Sequence, residues 1–257
     1  MLTIRDLEVR FGSKVVASVP ELDLAPGEIV GVAGESGSGK SMTALAILGL
    51  ATHSGATVSG SIRLDEMELV GLDERRMRSV RGRRVAMIMQ SPRGSLNPTL
   101  RLGELLARTL RLHGVPRAER GGRARDGMRS VLLDPDLLER YPHQVSGGQA
   151  QRFTIALVLA LGAEVVIADE PTSALDVTVQ AEVVELLARL RDERGTAQLF
   201  ISHDLAVIGQ LADRIVVMRD GAVVEHGPTE DVLAAPSAGY TRELVAAIPR
   251  IRGLDEQ

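Results

Sequence analysis

Leu2, Ile4, Leu7, Val9 and Phe11 stand apolar among polar neighbours, in two runs of strict alternation that suit a half-buried strand. A continuous apolar run, Ile29–Ala33, follows a Pro26-Gly27 turn and leads through a glycine-rich segment into a helical pattern at 44–50. Short apolar runs at 61–65, 85–89, 165–168 and 198–202 read as further strands. Residues 215–219 and 222–225 read as a hairpin around Asp220-Gly221, a type I′ signal. From 102 to 140 the period turns helical, with Leu102, Leu105, Leu106 and Leu110 on one face, so a largely helical insert is expected. Asp176 is placed to cap a helix over Val177–Arg194 that Gly195 stops, and 228–235 and 241–248 read as two short closing helices. Strands alternating with helices predict an α/β fold with a parallel sheet.

The segment after the run at 29–33 is Gly34-Glu35-Ser36-Gly37-Ser38-Gly39-Lys40-Ser41, which fits G-x-x-x-x-G-K-[ST] in the order strand, loop, helix. Glycines let the backbone turn tightly and bring its N–H groups onto phosphate oxygens, and the following helix points its partly positive end at the same place. Lys40 then reaches the β- and γ-phosphates and Ser41 offers its hydroxyl to Mg²⁺. Composition sharpens this. Of 30 Lys and Arg residues only Lys14 and Lys40 are lysine, so a compact ammonium at position 40 stands out in a chain that otherwise uses arginine.

Three strand candidates end in polar side chains: Gln90 after 85–89, Asp169-Glu170 after 165–168, and His203 after 198–202. In open parallel sheets ligands sit outside the carboxyl ends of the strands, where all of these groups would point. Acidic residues there are costly unless they meet a cation or a water, so Asp169 is expected to hold Mg²⁺ and Glu170 to orient or deprotonate an attacking water. The Gln90 amide both donates and accepts, which suits bridging a metal or water to a moving loop. Phe11 is one of five aromatic residues, and it either stacks on an adenine ring or faces the core.

Residues 145–152, Val-Ser-Gly-Gly-Gln-Ala-Gln-Arg, precede the longest uncharged apolar run, 153–163. Ser146 and Gln149 have the spacing of a capping box. Gly147 and Gly148 weaken a helix start by up to about 1 kcal/mol each while baring its N–H groups, which points to a second anion site far along the chain from Lys40. Six arginines between 75 and 84 read as a solvated face, with an anionic lipid or acidic partner as the alternative.

The remaining composition narrows the class. Net charge is −4, which argues against wholesale nucleic-acid backbone binding. There is no cysteine for a disulfide or thiolate metal site, and the five histidines show no metal-ligand spacing. The first residues lack a secretory pattern, and the run at 153–163 is too short for a bilayer core needing about 20 residues, so a cytosolic protein is expected.

Taken together, 34–41, Gln90, 145–152, 165–171, 173–176 and His203 resemble, in the same order, the motifs of the ATP-binding subunit of ATP-binding cassette (ABC) transporters. The resemblance covers nearly the whole chain. It implies a P-loop NTPase of ABC type with a RecA-like core at about 1–90 and 160–235, an N-terminal antiparallel β subdomain, a helical subdomain at about 91–159 and a C-terminal tail at 236–257, all one ATPase domain. It implies ATP and Mg²⁺ as cofactors. Phe11, residues 34–41 and Met42 would form the nucleotide site, with Ser146, Gly147, Gly148 and Gln149 of a second, identical or paralogous, ATPase subunit closing on the γ-phosphate. Ser41, Gln90 and Asp169 would surround the metal, and Glu170, His203 and Gln90 would serve hydrolysis, with Asp176 in the loop that contacts the partner. Val145 departs mildly from the commoner leucine, keeping a buried aliphatic.

The resemblance further implies permease subunits in the membrane, an extracytoplasmic solute-binding protein acting indirectly, and a peripheral place on the cytoplasmic face of the membrane. Residues 91–98, 176–182 and 227–249 are similar to the ATPases of peptide and nickel importers. Ser237-Ala238-Gly239 stands where relatives often show His-Pro, and the chain stops at Gln257. These departures weigh toward nickel or another metal chelate against peptide. A soluble ABC ATPase of DNA repair or the ribosome is the alternative, but it tends to carry coiled-coil inserts or tandem cassettes, and a small-molecule kinase would have no use for 145–152.

Overall fold

A computed structural model describes residues 1–173 and 175–248. Ala174, within the 173–176 motif, and 249–257, the end of the expected tail, lie outside the described residues.

The strands are β1 (Leu2–Phe11), β2 (Lys14–Leu24), β3 (Ile29–Ala33), β4 (Thr57–Leu64), β5 (Met67–Glu68), β6 (Val85–Ile88), β7 (Val165–Asp169), β8 (Ala197–Ser202), β9 (Arg214–Arg219) and β10 (Ala222–Pro228). The helices are α1 (Lys40–Ile47), α2 (Glu74–Val80), α3 (Pro92–Ser95), α4 (Leu102–Leu112), α5 (Arg117–Ser130), α6 (Gly147–Leu161), α7 (Val177–Arg194), α8 (Leu205–Leu211), α9 (Thr229–Ala234) and α10 (Gly239–Ala246). Among the described residues all strands join one curled sheet in the order β5-β4-β1-β2-β10-β9-β3-β8-β7-β6.

β9, β3, β8, β7 and β6 run parallel, while β5, β4, β1 and β2 form an antiparallel N-terminal layer that reaches the rest through a single bridge, Ala222 to Ser18. The parallel strands are apolar on both faces because both faces are covered. On β3, Ile29 and Ala33 join the core under α6 and α8, while Val30 and Val32 join the core around α1 and the antiparallel layer. Gly31 lets α8 approach closely, since a Cβ there would lie 2.3 Å from Ile208 Cγ2.

The jump from Ile4 to Leu7 in the apolar pattern of β1 is a bulge. Asp6 takes φ +48°, the register shifts between Arg5 and Glu8, and all four aliphatics stay buried. β2, unmarked in the sequence pattern, makes the matching phase change between Val19 and Leu22 across Pro20. The hairpin at Asp220-Gly221 has positive φ at both positions, +50° and +83°, as a type I′ turn requires.

The helical insert consists of α3, α4 and α5, with α6 as its fourth wall. Leu102, Leu106 and Leu110 are buried on one face of α4, and Leu105 is half-buried beside them. The arginines before β6 are not a uniform solvated face. Arg78 and Arg81 pair with Glu74 on α2, Arg83 donates to the His113 carbonyl at the end of α4, and Arg84 pairs with Glu164 at 2.8 Å and with Asp65. Arg81 and Arg84 are mostly covered and work as staples between elements, which a run of like charge in the sequence does not reveal.

Candidate active site

Parallel register brings the strand tips level: Ala33 pairs with Ser202, Asp169 with Ile201 and Ile88 with Ala168. The polar groups that follow therefore converge. Gln90 Nε2 donates to Glu170 Oε2 at 2.8 Å, His203 Nδ1 lies 3.3 Å from Glu170 Oε1, and Ser41 Oγ donates to Asp169 Oδ1 at 3.1 Å. Glu170 is turned toward this cluster by a left-handed backbone, φ +45°, that its own N–H secures by donating to Ile201 O at 2.9 Å. A side chain other than glycine in that region costs of order 1 kcal/mol, and such strain gathers where geometry serves a site.

The phosphate loop wraps the same end of the sheet. Lys40, only 4% exposed, donates from Nζ to Gly34 O and Glu35 O, each at 2.7 Å, and to Ser38 Oγ at 3.3 Å. Burial lowers its pKa, against the opposing pull of Glu170, Asp169 and Glu35. The glycines are required here. A Cβ at Gly34, where φ is +150°, would lie 2.2 Å from Met218 O, and one at Gly39, φ +103°, would lie 2.7 Å from Val16 O. Asp169 is 7% exposed, and burial, with the Glu170 charge beside it, raises its pKa against the pull of the Ser41 hydroxyl and Lys40.

A cavity of about 730 Å³ opens over this loop. Glu35 to Met42, Gln90, Glu170 and His203 line it, and Gly34 lies buried beneath. Phe11 sits on its rim, 38% exposed, so it does not face the core. Val16 and Leu244 complete the wall and were not singled out by the sequence pattern, nor was Tyr240, whose Oη accepts a hydrogen bond from Glu35 N–H at 3.0 Å. Tyr240, one of two tyrosines, and Leu244 fall in the importer-like segment 227–249, which gave neither a role at this site.

The segment at 146–149 is elsewhere. Ser146 Oγ accepts from Gln149 N–H at 3.1 Å and Gln149 Oε1 accepts from Ser146 N–H at 2.9 Å, the capping box read from the sequence. Ser146, Gly148 and Gln149 line a separate cleft with Arg152 and Val179, and that lining shares no residue with the cavity over the phosphate loop. Asp176 caps α7 by accepting from Val179 N–H at 3.0 Å, and Arg152 pairs with Glu182, tying α6 to α7. Thus Gln90, Asp169, Glu170, His203 and the phosphate loop come together within one chain, and 146–149 does not join them.

Ser41 and Asp169 meet the chemistry of a small hard cation. A buried carboxylate beside a hydroxyl, facing a phosphate loop, is the oxygen set Mg²⁺ takes when phosphates and waters supply the rest of its shell.

The parallel core, the phosphate loop and the polar strand tips define a P-loop nucleotide-binding cassette. The family model described as ABC transporter matches residues 18–173, and the chain belongs to that family. It is 44% identical to the probable peptide ABC transporter ATP-binding protein y4tR of Sinorhizobium fredii, over 98% of this chain and 78% of that protein. It is 39% identical to the dipeptide transport ATP-binding protein DppD of Haemophilus influenzae, over 97% of this chain and 78% of that one. Among solved structures it is similar to the ATP-binding cassette MJ0796, a dimer in a post-hydrolysis state with ADP and Pi. The TM-score is 0.76 at 26% identity, covering 89% of this chain and 99% of that one. The protein is an ATP-binding, ATP-hydrolysing subunit of an ABC importer.

Proposed function

We propose that this chain powers uptake of peptides through a separate membrane permease, and that hydrolysis takes place at the cluster around Glu170. The observation that carries the second part is the Glu170 carboxylate, held between Gln90 and His203 at the mouth of the phosphate loop. Phe11 stacks on adenine. Lys40 exchanges its bonds to Gly34 and Glu35 for the β- and γ-phosphates, which the loop amides of 36–41 also hold. Ser41 and Asp169 would hold Mg²⁺, with Gln90 offered as a further ligand. The chemistry Mg²⁺ supplies when bound is neutralisation of charge on the phosphate oxygens. Glu170 accepts a proton from the water that attacks the γ-phosphorus, the bond to the β–γ bridging oxygen breaks, and His203 and Gln90 keep the carboxylate aimed.

Because 146–149 lies in a cleft apart from the phosphate loop, the reading that fits is a head-to-tail pair of ATPase subunits. The capped start of α6 in one copy then meets the γ-phosphate bound by the other. The dimeric state of MJ0796 supports a pairing of two such subunits. Closure with ATP and reopening after hydrolysis drive the permease between its two faces.

Among the described residues no helix is long and apolar enough to cross a membrane. In this reading the permease is a separate chain and this subunit sits on the membrane's cytoplasmic face. A groove of about 290 Å³ between β6 and α6, with Met89 exposed at its edge and Leu96 and Leu157 in its wall, offers the permease an apolar seat. The names of the relatives support peptide, against the lean toward nickel or another metal chelate drawn from 237–239 and the chain end. An extracytoplasmic solute-binding protein would deliver the peptide.

The test is co-purification from host membranes followed by reconstitution. A multispanning permease and peptide-stimulated ATP hydrolysis are expected. Recovery with ribosomes or DNA, or stimulation by nickel alone, would overturn the peptide-importer reading.

A further inference from the structure

We propose that Tyr240 is a positioning residue of the nucleotide site, holding the Gly34–Glu35 peptide of the phosphate loop in its binding orientation. The inference rests on the phosphate loop's being the ATP site. Tyr240 is on α10, 6% exposed, and its Oη accepts from Glu35 N–H at 3.0 Å across 205 positions of sequence. The carbonyl of the same peptide unit, Gly34 O, accepts from Lys40 Nζ at 2.7 Å. This one peptide plane is therefore gripped at both polar ends, by a lysine on one side and a phenol on the other.

The two grips differ in what becomes of them when ATP arrives. Lys40 is the group that turns to the phosphates, so its hold on Gly34 is surrendered just when the loop must keep its shape. Gly34 has no Cβ and its φ of +150° lies where other residues rarely go, so rotation of the peptide next to it is sterically cheap. Tyr240 supplies the constraint that remains. Loop amides that already point at the phosphates need not be ordered at the moment of binding, which saves part of the cost of association.

The tyrosine is itself held at two places. The Arg219 guanidinium lies over its ring, 4.6 Å from the centroid. Glu225 on β10 accepts from Ser237 N–H at 2.7 Å, from Ser237 Oγ at 2.8 Å and from Ala238 N–H at 3.0 Å, fixing the turn that launches α10. One turn beyond Tyr240, Leu244 lines the cavity over the loop together with Phe11 and Val16. The C-terminal helix is thus part of the nucleotide site, through one hydrogen bond and one wall residue.

Tyr240→Phe in the full-length chain removes the hydroxyl and leaves the ring, its packing and the Arg219 contact. ATP binding by titration calorimetry is expected to weaken by roughly three- to tenfold, the size of one lost hydrogen bond. KM for ATP should rise by a similar factor while kcat changes by less than about twofold, a split that a general loss of packing would not give. Glu225→Gln, which loosens the turn, should raise KM in the same direction, and the double variant should be less than additive because both act through one peptide. Parent-level affinity and KM in Tyr240→Phe, or a loss confined to thermal stability, overturns the proposal. Failure of the parent chain to bind ATP would instead remove the phosphate-loop reading itself.

Discussion

Gln90 and Glu170 are joined across the ends of neighbouring parallel strands, Nε2 donating to Oε2 at 2.8 Å. Gln90 also begins the passage into the helical insert, with α3 starting two residues later. A shift of the insert against the core would therefore be felt at the carboxylate that faces the phosphate loop. Glu170→Gln keeps the shape and one acceptor but cannot take a proton. ATP affinity should stay within about twofold of the parent, while steady-state phosphate release falls by roughly 10²- to 10⁴-fold. A variant turning over at the parent rate would show that Glu170 is not the base.

Phe11 is half out in solvent at the mouth of the cavity, an expensive place for an aromatic with no flat partner. Phe11→Ala should weaken ATP binding by about 1–3 kcal/mol, the range for a base stacked on an aromatic ring. Phe11→Tyr should bind like the parent. Equal affinity in all three, measured by nucleotide titration, would take adenine away from this residue.

What the sequence made legible was local. The phosphate loop, the capping box at Ser146 and Gln149, the cap at Asp176 and the I′ turn at Asp220-Gly221 are set by residues within a few positions of one another, and each is found where the pattern put it. The convergence of Gln90, Glu170 and His203 was also readable, because short apolar strands in a parallel sheet end on the same side, in register with one another. Tertiary pairings were not. β2 escaped notice because Pro20 and Glu21 interrupt its alternation at the point where it matches the bulge at Asp6. The arginines at 81, 83 and 84 looked like a solvated run because their partners, Glu74, His113, Glu164 and Asp65, are assigned by folding. Tyr240 falls in the importer-like segment 227–249, but no local pattern gives it or Glu225 a role at the site, and only the packing of α10 against the phosphate loop gives them a task.

Ser146 stands exposed at the start of α6, outside the cavity that holds Lys40. An arginine there adds bulk and charge at the surface without touching the phosphate loop of its own chain. Ser146→Arg should bind ATP like the parent as a monomer, yet fail to dimerise with ATP when Glu170→Gln is also present to prevent turnover. Light scattering of the double variant decides it, and an ATP-dependent dimer of parent strength would remove 146–149 from the subunit interface.

Glu225 supplies a pH dependence whose sign can be worked out. Burial alone would raise its pKa, but the neighbouring Thr241 hydroxyl, the Ser237 and Ala238 N–H groups and the Ser237 hydroxyl, the last three hydrogen-bonded to it, outweigh that and hold it at about 2, below the usual 4.5. A folded-state pKa below the unfolded one means the native state binds its proton less readily. The group's contribution is therefore complete above about pH 5 and is lost as pH falls toward 2. Glu225→Gln should destabilise the protein by about 2 kcal/mol at pH 7, typical of hydrogen bonds to a charged acceptor. By pH 3 the gap to the parent should shrink to roughly half or less. Urea unfolding of both proteins at pH 7, 5, 4 and 3 measures the gap directly, and a gap that stays constant over that range would mean the carboxylate is not held ionised by the 237–238 turn.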